Sequence, residues 1–280
     1  MWETDALLEF NESILMGKKQ TAAAVVKETN DSYPWLARPM PNPAAALRLF
    51  CFPYAGGGAA TFHNWPRELP LSVELCSVHL PGRGARLMEA PFTEMRVLVE
   101  SLAGGLLPHL DKPFAFFGHS LGAIIGFELA RYLRRHHKQE PGYLFVSAAP
   151  APQLREREKP IHDLPEPEFI RELGKLNGTP HEVLENEELM HLMLPTLRAD
   201  FALSEKYSYR SEPPLDCPIA AYGGGRDHNI SREHLEAWRE QTAAAFSLNI
   251  IPGDHFFLHG SQAQLLALLS RKLSRLVSSL

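Results

Sequence analysis

Cysteine is scarce and unpatterned: Cys51, Cys76 and Cys217 are the whole complement of a 280-residue chain. An odd number of thiols, far apart and each in or beside an apolar run, argues against a disulfide framework or a zinc site, and reads as reduced and buried. Long hydrophobic runs are missing too. Charge or proline interrupts every apolar stretch well short of the roughly 20 residues that a membrane-spanning helix needs. The opening "MWETDALLEF" carries acids where a signal peptide carries lysines. The expectation is a cytoplasmic protein with no membrane partner. Nor is there a surplus of positive charge. With 28 Lys and Arg against 33 Asp and Glu, a formal charge of −5, the chain lacks what binding to nucleic-acid phosphates requires. No internal repeat is present.

What the chain does have is 45% apolar residues, enough to bury a sizeable core. Residues 1–46 read as an N-terminal arm: a short helical pattern, then an extended linker through Pro34, Pro39, Pro41 and Pro43. From "LRLFCF" onward, short apolar runs ("VELCSV", "FAFFGHS", "YLFVSAA", "CPIAAYGG", "FSLNIIPG") alternate with helical patterns at 94–110, 121–136, 231–245 and 261–279. Strands apolar on both faces with helices between them predict an α/β fold, a mostly parallel central sheet covered by helices on both sides. Residues 47–280 then form one domain. The rhythm breaks between about 150 and 214, where only helical patterns occur, one of them containing Pro195. That interval reads as a helical lid insertion. Its Leu189, Leu192, Met193 and Leu197 fall at helical spacing, as packing residues do.

The chemistry concentrates at "FFGHSLGA". Gly-x-Ser-x-Gly alone is a weak pattern, but here it follows an apolar strand and opens an Ala- and Ile-rich helix, the setting of a nucleophile elbow. Ser120 sits in a strained turn, Gly118 and Gly122 spare it collisions, and the helix start favours negative charge beside it. A serine hydroxyl needs a base, and the base a carboxylate. Asp227 in "YGGGRDHNIS" and His255 in "IPGDHFFLHG" follow in the order Ser, acid, His, each just after a strand. Asp200, Asp216 and Asp254 are competing acids, but lie in a helical pattern, before a strand, and adjacent to the histidine. His255 and His259 are four apart without a His-Glu-x-x-His arrangement, so no metal is expected, and no cofactor. An oxyanion hole needs two converging amides. Leu121 offers one; the glycine-rich "FPYAGGGAATF" loop offers the other, at Tyr54 or Ala55. The loop lacks the Gly-Lys-Ser/Thr ending of a phosphate cradle.

"LFCFPYAGGGAATFHNW", "LPGRGAR", "FFGHSLGAIIGFELARYL", "LPTLRADFALSEKY" and "GDHFFL" together resemble the type II thioesterases, stand-alone editing enzymes that accompany non-ribosomal peptide and polyketide synthases. The resemblance spans about 47–275 and implies the α/β-hydrolase fold, a triad of Ser120, Asp227 and His255, and a lid at 150–214. It also implies hydrolysis of acyl groups from the phosphopantetheine thiol of acyl or peptidyl carrier proteins, met transiently by a monomer. Arg83 and Arg86 in "PGRGAR" would lie at the active edge, where they would meet the carrier or the pantetheine phosphate, or serve as an ordinary polar turn. "RYLRRHHK" ends the helix that begins at the nucleophile, so its charges serve the helix dipole. Medium-chain fatty acyl thioesterase, general carboxylesterase or lipase, and a non-catalytic docking module are the alternatives.

Overall fold

The computed structural model describes residues 35–154, 159–176 and 186–280. Seven strands form one sheet: β1 (Leu36–Ala37), β2 (Leu47–Phe52), β3 (Val73–Val78), β4 (Phe114–His119), β5 (Leu144–Ser147), β6 (Ile219–Gly224) and β7 (Phe246–Ile251). Their order is β1-β3-β2-β4-β5-β6-β7; β1 runs antiparallel and every other neighbouring pair is parallel. This is the expected α/β-hydrolase architecture. Helices α1 (Met95–Leu106) and α2 (Leu121–His137) supply connections within it, and α6 (Phe257–Gly260) and α7 (Gln262–Ser278) follow β7. The predicted helix at 231–245 is shorter than its pattern: α5 (Arg232–Glu236) gives way to a 3-10 turn over Ala237–Gln241.

Burial on both faces explains the unbroken apolar runs. Along β4, Phe114 and Phe116 enter the core beneath α1 and α2, while Ala115 and Phe117 enter the core under α7. β2 divides in the same way, with Phe50 and Phe52 on the first side and Leu49 and Cys51 on the second. Side chains that alternate at period two, with hydrophobic cover over each face, leave no polar side to the central strands. All three cysteines are free and buried.

The insertion between β5 and β6 contains α3 (Glu166–Lys175) and α4 (Glu187–Glu205). They share a small core of their own, built from Phe169, Leu173, Met190, Leu194 and Leu197. Of the four apolar residues expected to pack, Leu197 is buried and Leu189 and Met193 partly so, whereas Leu192 is exposed. α4 continues through Pro195. The basic end of α2 does more than complement a dipole: Arg131 bonds Glu128 and the Arg210 carbonyl, and Arg134 reaches the carbonyls of Pro213 and Pro214, pinning the chain that returns from α4 to the sheet.

One boundary moves. Residues 1–34 of the expected arm lie outside the described residues, but Trp35 to Ala46 belong to the folded unit. Leu36 and Ala37 pair with Val78 and Ser77, and the Trp35 carbonyl accepts from His79 N–H at 2.9 Å. The Trp35 ring lies under the Arg86 guanidinium, 4.2 Å from it, and against α1. A Cβ on Gly105 would stand 2.1 Å from that ring, while one on neighbouring Gly104 would meet nothing within 4 Å. Adjacent glycines therefore respond oppositely. Gly104→Ala is expected to raise stability by about 0.5 kcal/mol and Gly105→Ala to lower it by about 1–3 kcal/mol, read from urea unfolding midpoints. Equal effects would mean that Trp35 is not seated there.

Candidate active site

Ser120 occupies the one-residue turn between β4 and α2 with φ 53° and ψ −116°, a conformation that L-residues avoid at a cost of about 1–3 kcal/mol. Close approach of three backbones holds it. A Cβ on Gly118 would stand 2.2 Å from the Gly122 carbonyl oxygen, and one on Gly122 would stand 2.2 Å from the carbonyl oxygen of Phe52, the last residue of β2. The two glycines are therefore required by contact with neighbouring backbone, as the motif suggested. The Ser120 amide donates to the Ser147 carbonyl at 2.7 Å, tying the turn to the end of β5.

Asp227 and His255 come from the loops after β6 and β7. His255 Nδ1 lies 2.7 Å from Asp227 Oδ2, with the carboxylate side chain 1% exposed. Oδ1 of the same carboxylate accepts from the amides of Asn229 at 2.9 Å and Ile230 at 3.2 Å. Burial pushes the Asp227 pKa up, but the bond and charge of His255, with the two amides, outweigh it and leave the acid below its ordinary value. An ionised carboxylate only accepts, so His255 carries its proton on Nδ1 and leaves Nε2 as a base. The two loops are tied by Gly225 N–H to the Ile251 carbonyl and Arg226 N–H to the Gly253 carbonyl, both at 2.8 Å. Gly224 permits this closeness, since a Cβ there would lie 2.1 Å from the Asp254 carbonyl oxygen. Asp254, one of the competing acids, instead accepts from the Phe256 amide.

His119 was not singled out by its motif, yet it joins the parts. It is fully buried one residue before the serine; its Nε2–H donates to the His255 carbonyl at 3.0 Å, and its Nδ1 accepts from Ser147 Oγ at 2.9 Å. Its ring meets that of His255 edge-on at 5.5 Å. Tyr54 packs its ring against His119 and Phe256, and its hydroxyl lies 3.0 Å from His259 Nε2, so His259 faces Tyr54.

The amides around the site are divided. In the glycine loop, Gly56 N–H donates to Asp200 and Gly57 N–H to the Tyr54 carbonyl, so these two amides are engaged within the protein, just after the expected donors Tyr54 and Ala55. Leu121 is the first residue of α2, where an amide has no intrahelical acceptor and the dipole is positive. The arginines are a different matter. Arg83 forks onto Asp200 at 2.8 and 2.7 Å, and Arg86 bonds Glu89 and the His79 carbonyl while lying over Trp35; each is only 8% exposed. Their guanidinium groups are committed within the protein, so the carrier-phosphate contact expected of Arg83 and Arg86 is corrected to an internal one. Asp200, set aside as a triad acid, is the buried partner. An acid three positions from Leu197, on the inward stripe of α4, was the signal available for it.

A strained serine at the head of a helix, with a histidine–carboxylate pair held beside the elbow at the strand ends, defines a hydrolase of the α/β class. Residues 47–273 match the family model described as Thioesterase domain, and the chain belongs to that family. The protein named linear gramicidin dehydrogenase LgrE, from Brevibacillus parabrevis, is 47% identical over 242 residues, covering 85% of this chain and 92% of that protein. Gramicidin S biosynthesis protein GrsT, from Aneurinibacillus migulanus, is 46% identical over 239 residues, covering 85% and 93%. Among solved structures, the type II thioesterase BorB from the borrelidin biosynthetic cluster superposes with a TM-score of 0.79 at 34% identity, covering 87% of this chain and 99% of that one.

The buried His119 carries a pH signature. Burial first, then the nearby His255 and His259, lower its pKa well below 6.5. In the unfolded chain it titrates near 6.5, so below that pH the unfolded state holds a proton that the folded state refuses. Stability must fall as pH drops through about 6.5. His119→Gln keeps both hydrogen bonds without the titration. Between pH 7.5 and 5 it should lose up to about 2 kcal/mol less than the parent protein in urea unfolding; equal losses would contradict a neutral, buried His119.

Proposed function

We propose that this chain is a serine thioesterase that hydrolyses acyl thioesters on the phosphopantetheine arm of acyl or peptidyl carrier proteins, editing or releasing chains on a non-ribosomal peptide or polyketide synthase. The observation that carries this reading is the His255–Asp227 bond beside the elbow of Ser120, in a chain of the thioesterase family. The names of GrsT and BorB, which tie those proteins to gramicidin S and borrelidin biosynthesis, support the choice of substrate. The word dehydrogenase in the name of LgrE belongs to that protein; here the elbow and the histidine–carboxylate pair favour acyl transfer.

Each step follows from the groups present. Ser120 Oγ attacks the thioester carbon as His255 Nε2 takes its proton, and Asp227 stabilises the imidazolium. The developing oxyanion is held by the Leu121 amide and by that of Tyr54 or Ala55. The C–S bond then breaks. A thiol with a reference pKa of about 8.5 leaves readily as thiolate, and the imidazolium returns its proton to sulfur. Water next gives a proton to Nε2 and attacks the acyl-serine carbon; the bond to Oγ breaks, Ser120 recovers its proton and the acid departs. No cofactor takes part. Carrier docking is transient, the protein acts as a cytoplasmic monomer, and the α3–α4 insertion acts as the lid over the acyl chain.

Side-by-side hydrolysis of acyl-carrier protein, acyl-CoA and simple oxygen esters tests the reading. The expected order places acyl-carrier first, with Ser120→Ala lowering kcat by at least about a thousandfold while leaving the fold intact. A strong preference for oxygen esters would assign the site to a carboxylesterase instead.

A further inference from the structure

α4 is bonded to the glycine loop. Asp200 is 1% exposed and spends both carboxylate oxygens. Oδ1 accepts from Arg83 Nη2 at 2.7 Å, and Oδ2 accepts from Arg83 Nη1 at 2.8 Å and from the Gly56 amide at 2.7 Å. The same Nη1 donates to the Gly57 carbonyl at 2.8 Å, so the ion pair grips two consecutive residues of the glycine loop. The helix surface follows it. Leu197 packs so closely on Gly56, whose φ is +78°, that a Cβ there would stand 2.7 Å from Leu197 Cδ2, and Thr196 Oγ1 donates to the Gly82 carbonyl. Gly56 adjoins Ala55 and stands two residues after Tyr54, the loop's two candidate oxyanion donors.

We propose that Asp200 is a positioning residue for the oxyanion hole: by holding the Gly56 amide from α4, it fixes the glycine loop so that the donor amide before it is aimed at the reacting carbonyl. The inference rests on the acyl-transfer reading of the site. It goes beyond that reading in making the inserted helix part of the electrostatic machinery, with Arg83 as the clamp that orients the carboxylate. Bidentate geometry matters here, because a fork onto both oxygens fixes the carboxylate plane, leaving Oδ2 oriented toward the amide. Seating of α4 and formation of the oxyanion hole are then one event.

Removing Asp200 alone would strand a buried guanidinium, which is destabilising whatever the role. The test therefore compares two paired variants that neutralise both partners. In Arg83→Met with Asp200→Asn, the amide oxygen still accepts from Gly56 N–H; in Arg83→Met with Asp200→Leu, nothing does. Kinetics on one acyl-CoA and hydrogen exchange at the Gly56 amide are measured on both. Deleting an oxyanion donor outright costs about 10²–10³-fold in kcat. Loosening one should place the Leu pair about tenfold to a hundredfold below the Asn pair in kcat, with KM within about threefold and Gly56 protection lost only in the Leu pair. Equal kcat in the two pairs, or a difference confined to KM, would overturn the proposal, since a purely structural ion pair predicts no kcat gap between them. Should the Leu pair fail to fold, exchange of the Gly56 amide in the parent protein decides: exchange as fast as an open loop amide overturns the proposal. If the parent protein fails to hydrolyse thioesters while Gly56 protection follows Asp200 as expected, the substrate reading fails and the anchor stands.

Discussion

The contact between Gly122 and the end of β2 decides where everything else goes. α2 can start directly after β4 only because its second residue has no side chain to strike the Phe52 carbonyl, and because Gly118, paired with Phe52 across the sheet, has none to strike Gly122. That approach forces Ser120 to positive φ and puts the first amide of the helix next to it. The strain, on the order of 1–3 kcal/mol, is maintained by a core that covers both faces of the sheet. A wider gap would relax the turn, and the serine would no longer stand at the head of the helix.

The rest of the site is assembled by backbone ties of the same kind. Gly224 lets the histidine loop lie against the acid loop, and His119 reaches from the residue before the serine to the carbonyl of His255. The histidine–carboxylate pair is thus held at two levels. Asp227 fixes the imidazole through Nδ1, and His119 fixes the main chain that carries it. Because burial disfavours the charged form of His119 and Nε2 donates to the His255 carbonyl, Nδ1 is left free to accept from Ser147 Oγ. On the opposite side, Asp200 and Arg83 bring the inserted helix into contact with the glycine loop. Four strand ends and one inserted helix therefore converge on a region rich in glycine.

Much of this was legible from residue order. The strands announced themselves as short runs with no polar face, because both sides of the sheet are covered, and Ser120, Asp227 and His255 followed from their places after such runs. β1 was not legible: two residues beyond a proline carry no periodicity, and only Trp35 packing on α1 and under Arg86 reveals why they belong to the sheet. Arg83 and Arg86 stayed open between a carrier contact and a polar turn for a physical reason. Sequence places a charge at the correct edge but cannot say whether it is already paired, and the partner of Arg83 lies 117 residues away on α4. His119 was hidden in a motif whose glycines and serine drew the attention, although a histidine in an otherwise apolar buried strand was the available sign.

The central claim is that the elbow hydroxyl itself takes the acyl group, and the first turnover tests it most directly. Mixing the protein with an acyl-pantetheine thioester, quenching in acid within the first turnover and measuring intact and peptide masses should reveal one acyl group per chain. That group should sit on the peptide containing Ser120, matched by one equivalent of released thiol. Thiol release with no acyl-protein at any quench time, or an acyl group on a different residue, would contradict the account.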